Sequence, residues 1–246
     1  MQNLKLANYI KKSSDDLANR KETLFFTNIT VYIKDPLPEH VSLGAVLTRA
    51  EAVLPKRLIT NLDAIYVGEF EHLKKREVNA AFQDGALYIS NVQDDEDDLL
   101  DDVIHEIAHS VEEEYGLQIY GNGIIEKEFI GKRKQLYNLL RSYDYDVQKS
   151  EFLNVDFSED FDDLLYKGIG YDKLEHFTMG LFPSNYSVTS LREYFAVGFE
   201  RYFLNSRTDL AKVSPELFNT VEQLVLTGEK NEEEVWLDSE QHHPSY

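Results

Sequence analysis

The chain has no cysteine in 246 residues. Disulfides are therefore excluded, and so is any metal site built on thiolates. A metal bound here has only imidazole and carboxylate to hold it. Cations are also scarce: Lys and Arg number 25 against 45 Asp and Glu, a formal net charge of −20. A sheath of that sign repels phosphate backbones and anionic headgroups, so nucleic acid and membrane surfaces are poor partners, while neutral or basic peptides stay open. No run of about 18 apolar residues occurs, so no segment is expected to span a bilayer as a helix. The stretch Met1 to Lys12 lacks the apolar core of a secretory leader. As written the chain reads as cytoplasmic, or as secreted if it is a mature form. Internal repeats and low-complexity linkers are absent as well.

What is present is a globular composition, 42% apolar and 12% aromatic, in a length sufficient for one large domain or two lobes with a real core. Apolar positions at Leu4, Ala7, Ile10 and Leu17 predict a helix over 4–20. The β-branched and aromatic run Thr23 to Ile33 predicts a strand, closed by Asp35-Pro-Leu-Pro. A helix over His40 to Val53, a buried strand at Ala64 to Gly68, and a hairpin follow. The hairpin turns at Asp84-Gly85, with either 79–82 or 86–89 as the open edge of the sheet. Beyond residue 91 the pattern becomes helical: an acidic run into a helix ending at Gly116, then helices over 126–143 and 188–204. The acidic, aromatic stretch 144–163 reads as short helices or loop. A last helix opens at Ser214-Pro215 and closes near Leu226. The tail from Gly228 is expected to be loose except around Trp236. The composition thus predicts an α+β chain in two lobes, 1–90 and 91–246.

The centre of the sequence is Asp98 to Gly116, which contains His105-Glu106-Ile-Ala-His109. On a helix the two histidines lie one turn apart on one face, so two imidazoles reach one ion, and Glu106 is placed to take a proton from a water there. Ile104, Ile107, Ala108 and Val111 form an apolar stripe beside them, which predicts a packed helix. Asp94 or Asp97 is the expected cap, and Asp102 or Glu113 the expected acceptor orienting an imidazole. A catalytic zinc needs a third ligand. His176, His242, His243 and many carboxylates are available downstream, but no histidine follows at the spacing used by metzincins. Glu193 fits well: it opens Glu193-Tyr-Phe-Ala196-Val-Gly198-Phe199-Glu200, whose small residues would let this helix approach the first.

With Tyr186 seven residues before Glu193, this pattern resembles the anthrax-lethal-factor-like metallopeptidases, which include the Pro-Pro endopeptidases and belong to the glutamate-liganded zincins. The resemblance covers about residues 65–114 and 186–203. It implies a zincin-like fold, with a small N-terminal sheet and edge hairpin packed on a mainly helical lobe and the active-site helix between them. It also implies one zinc per chain on His105, His109 and Glu193, Glu106 as general base and Tyr186 as oxyanion donor. The reaction implied is zinc-dependent hydrolysis of a peptide or protein bound as an extended strand on the hairpin edge. Two departures stand out. His109 and Glu193 are 84 residues apart, which implies an insertion within 117–185, and Val197 stands where lethal factor has an acid, a role Glu200 is placed to take over. Family members are secreted. Two alternatives share the pattern: a zincin-like domain that binds a protein without turnover, and a peptidase effector delivered into another cell. The sequence leaves the oligomeric state open.

Overall fold

The β-branched run Thr23 to Ile33 does not form one strand. In the computed structural model it folds back as β1 (Thr23–Phe25) and β2 (Ile29–Ile33), paired antiparallel with Phe25 opposite Ile29. Phe26 takes φ 49°, a left-handed conformation that interrupts extended backbone. The structure describes residues 23–26 and 28–240, with backbone alone at residue 23 and over 228–240. The helix predicted over 4–20, and His242 and His243, lie outside the described residues.

β2 runs parallel to β3 (Ala64–Gly68), and β3 parallel to β5 (Ala86–Ser90), while β4 (Ala80–Gln83) pairs antiparallel with β5. The order β1-β2-β3-β5-β4 leaves β4 on the edge, so the arm 79–82 is the open one. Asp84 and Gly85 both take positive φ, 51° and 76°, the two-residue turn whose twist matches paired strands. Helices α1 (Leu43–Val53) and α2 (Glu71–Arg76) connect the parallel strands. α1 begins later than the apolar spacing suggests because the Ser42 hydroxyl accepts the Ala45 N–H at 3.3 Å, fixing the first turn there. One sheet face is buried through Val31, Ile65, Val67, Leu87 and Ile89. On the other, Tyr32, Tyr66 and Tyr88 stack in register with ring centroids 5.1 and 5.3 Å apart.

The rest is mainly helical: α3 (Glu96–Tyr120), α4 (Ile124–Ser142), α5 (Glu159–Asp163), a π-helical segment (Leu164–Gly170), α6 (Tyr171–Thr178), α7 (Leu191–Leu204), α8 (Arg207–Val213) and α9 (Pro215–Glu240). Short 3₁₀ turns occupy Lys56–Ile59, Glu151–Leu153 and Tyr186–Val188. The fold is α+β with a five-stranded mixed sheet and a mostly helical remainder. Two compact bodies divide it: the described residues up to Ala52 with Leu62–Val103, and Val53–Asn61 with the chain from Ile104 onward. Among the described residues no helix is long and apolar enough to cross a membrane.

Two predicted boundaries are corrected. Gly116 does not end α3; the helix continues to Tyr120, because Ile119 is fully buried and the Tyr120 hydroxyl donates to Glu112 one face back. α9 does not stop near Leu226; its backbone stays helical through Trp236 to Glu240, a stretch rich in Glu and other good helix formers.

Candidate metal centre

α3 starts at Asp95, whose Oδ1 accepts the N–H groups of Asp97 and Asp98 at 2.8 and 2.9 Å. The cap is thus the aspartate between the two expected, the one whose acceptor reaches the second and third helical N–H groups. The buried stripe Ile104, Ile107, Ala108 and Val111 then fixes the helix rotation. That rotation leaves His105 and His109 side by side, ring centroids 5.2 Å apart, with side chains 13% and 12% exposed. α7 starts at Ser190, whose hydroxyl accepts the Glu193 N–H at 3.1 Å. The cap therefore fixes the backbone of Glu193 itself. Its Oε2 lies 3.0 Å from His105 Nε2 and 3.6 Å from His109 Nε2, and one ligand atom from each residue falls within 4.8 Å of the others.

These residues fit a divalent metal. Tetrahedral zinc with bonds of about 2.0–2.1 Å sets its ligand atoms about 3.3 Å apart, and the two carboxylate–imidazole distances bracket that value. The tautomers fit as well. His109 Nδ1 lies 2.6 Å from Glu112 Oε2 and His105 Nδ1 lies 3.4 Å from Glu200 Oε2. Each imidazole thus donates from Nδ1 to a carboxylate and keeps its Nε2 lone pair for a metal. Glu200, three residues beyond the buried Val197, is the carboxylate that faces His105. Glu112 and Glu200 face the imidazoles, and of the expected acceptors Glu113 is corrected, since it accepts from Asn61 at 2.9 Å.

Without a metal the same contacts hold protons. Burial alone would lower the pKa of His105, but its hydrogen bonds to Glu193 and Glu200 raise it from 6.5 to about 10. His109 is likewise opposed by burial and raised to about 9 by Glu112 and Glu193. Burial pushes Glu193 up, yet the two imidazoles hold it well below the usual carboxylate range.

Glu106 is half-buried on α3, one residue from His105, and its charge is felt by both His105 and Tyr186. Tyr186 opens the 3₁₀ turn before α7, with its ring centroid 5.9 Å from that of His105 and 39% of the residue exposed. Burial first, then the charges of Glu193 and Glu106, keep its phenol protonated far above neutral pH, so it can act as a donor. The turn is held by Arg133 of α4, which is fully buried. It donates to Val188 O at 2.8 and 2.6 Å, to Thr189 O at 2.8 Å, and to Glu151 O and Asn154 O.

The sequence reading missed three side chains here. Glu112 sits three residues after His109, a spacing as good as the four considered for Glu113. Tyr120 and Arg192 both donate to Glu112, the latter at 3.4 Å. From the 117–185 stretch, Asp162 and Tyr166 come near enough to feel the charge of Glu193, and burial raises the Tyr166 phenol to about 12. His176, the rival ligand, is exposed on α6 and outside the ligand group. Gly198 does not serve close approach to α3; a Cβ there would fall 2.4–2.6 Å from Leu217 side-chain atoms, so the glycine admits α9. Comparison with protein-family models, curated proteins and solved structures gives no match.

Proposed function

We propose that the chain is a zinc-dependent endopeptidase of zincin type, similar to the lethal-factor-like metallopeptidases, with His105, His109 and Glu193 holding the metal. The observation that carries this reading is the convergence of both Nε2 atoms on Glu193 Oε2, with each Nδ1 turned onto its own carboxylate. Zinc in such a ligand set supplies a Lewis acid that polarises the scissile carbonyl and acidifies an attacking water.

The chain's own residues supply the rest. Glu106 takes the proton from the water as its oxygen bonds to the carbonyl carbon. It then delivers that proton to the amide nitrogen as the C–N bond breaks, so one water is consumed and an acid and an amine are released. Tyr186 donates its phenolic hydrogen to the carbonyl oxygen as negative charge develops there. Glu112 and Glu200 hold the imidazoles in register. β4, the edge of the sheet order, offers backbone N–H and C=O groups to an extended peptide, which is the partner proposed.

The test pairs wild type with Glu106→Gln on a peptide library, with zinc content measured beside cleavage. Wild type should carry one zinc and cleave, and the variant should keep the zinc and lose at least about 10²-fold in rate. Unchanged hydrolysis by the variant would remove Glu106 as the base.

A further inference from the structure

Beyond the three ligands, α3 and α7 are joined through one buried carboxylate. The Glu112 side chain is 4% exposed. Its Oε2 faces His109 Nδ1 at 2.6 Å and takes Arg192 Nε at 3.4 Å, and its Oε1 takes the Tyr120 hydroxyl. Arg192 is the residue directly before Glu193, so Oε2 of Glu112 touches both one ligand and the backbone neighbour of another, while Oε1 is held by Tyr120. Glu200, the corresponding acceptor for His105, is looser: its contact is 3.4 Å and its side chain 19% exposed.

A carboxylate on Nδ1 does two things for a metal-binding imidazole. It selects the tautomer with its lone pair on Nε2, and it makes that nitrogen a better donor by drawing on the Nδ1 proton. Both effects grow as the contact shortens and as water is excluded. A buried carboxylate whose other oxygen is held by a second donor is restrained from swinging away, so the imidazole is positioned before the metal arrives. Glu112 meets all of these conditions and Glu200 meets them less fully.

We infer that Glu112 is the principal positioning residue of the metal centre: buried and held by Tyr120, with the exposed Arg192 as a longer second contact, it holds His109 for ligation and sets metal affinity more strongly than Glu200 does. This rests on the reading of His105, His109 and Glu193 as a zinc site. Glu112 touches neither substrate nor reacting atoms, so its effect appears in metal binding and not first in turnover.

The test is a competition titration of Zn²⁺ against a chromophoric chelator, using the full chain as wild type, Glu112→Gln, Glu200→Gln and Tyr120→Phe. The amide of Glu112→Gln has the same shape but a single acceptor oxygen and no charge. It should weaken zinc binding about 10- to 100-fold, Glu200→Gln by less than that, and Tyr120→Phe detectably. Circular dichroism of the chelated proteins separates folding from ligation, since a purely structural role would lower the melting temperature and leave the zinc affinity of the folded protein unchanged. Should Glu112→Gln not fold, Glu112→Asp, which keeps the charge but falls short of His109, is expected to show the same loss. Affinities of the Glu112 variants within threefold of wild type, or a larger loss in Glu200→Gln, overturn the inference and leave the zinc site standing. A wild type that binds no stoichiometric zinc overturns both.

Discussion

At the residue scale Glu193 performs two tasks. Its backbone N–H completes the Ser190 cap and its carboxylate meets both imidazoles. Replacing it with Gln leaves the N–H and the shape but removes the anion. Glu193→Gln should keep α7 and lose stoichiometric zinc, as read by metal analysis after gel filtration. Tyr186 is expected to act only as charge develops on the carbonyl, so Tyr186→Phe should lower kcat about 10²-fold with little change in KM or zinc content. An equal rise in KM at constant kcat would assign Tyr186 to substrate binding instead. Legible from local spacing were His105 and His109, one turn apart on a helix, and Glu193 was reached through its small-residue neighbours and the family resemblance; the structure brings these three together. Glu112 was not legible, because positions three and four after His109 share one helix face. The choice between Glu112 and Glu113 is made by Tyr120 and Arg192, whose positions come from the helix length and from α7. Asp95 was hidden in the same way among identical neighbours, where only the backbone start of α3 distinguishes one aspartate from the next.

At the scale of elements, α7 is held in place from two directions. On one side Gly198 faces Leu217 of α9, which is fully buried. Gly198→Ala improves helix propensity, worth about 1 kcal/mol, but forces a methyl into Leu217, and overpacking of that kind costs about 1–3 kcal/mol. The steric cost should win, giving a lower melting temperature by calorimetry, and Leu217→Ala in the same chain should recover part of the Gly198→Ala loss. On the other side Arg133 holds the turn before α7. Its guanidinium lies 4.7 and 4.3 Å from the ring centroids of Phe129 and Phe161 and donates to the main-chain carbonyls of Val188, Thr189, Glu151 and Asn154. Arg133→Leu strips donors from several buried acceptors and should destabilise the protein by at least about 3 kcal/mol in denaturant titrations.

These elements were legible to different degrees. The Asp84-Gly85 hairpin, β3 and the start of α9 follow from turn chemistry and period, and their positions agree with the sequence. The run Thr23 to Ile33 did not, because strand propensity is indifferent to the reversal made at Phe26. Nor did the 117–185 stretch. Phe129, Phe152 and Phe161 are buried there, Phe129 against Tyr194 of α7, while Tyr143, Phe157 and Tyr171 are exposed, and nothing local announces which aromatics go inside or that Arg133 will hold the Tyr186 turn.

For the whole molecule, the proposed zinc site should make stability depend on pH in opposite ways with and without the metal. In the metal-free chain His105 and His109 titrate near 10 and 9 rather than 6.5. Groups whose pKa is raised on folding contribute stability that is fully present below about 6.5 and is lost as pH rises through 9 and 10. Glu193 is depressed, so its contribution is present above its ordinary 4.5 and lost as pH falls below that value. The metal-free protein should therefore be most stable between about 4.5 and 6.5 and should weaken steadily above. Zinc bound at the proposed site should reverse this dependence, because it needs the Nε2 lone pairs that protons otherwise occupy, and its affinity should rise as those protons leave. At fixed free zinc the stabilisation grows with that affinity. The gap in melting temperature between zinc-loaded and chelated protein should thus widen from pH 5.5 to pH 8.5. The gap compares the same chain with and without zinc at each pH, so charges remote from the site cancel in it. Melting curves at three pH values, with zinc or chelator, decide the matter, and Glu193→Gln provides the control because it should flatten the gap. A gap independent of pH in the wild type would mean that zinc does not displace the protons held by His105 and His109.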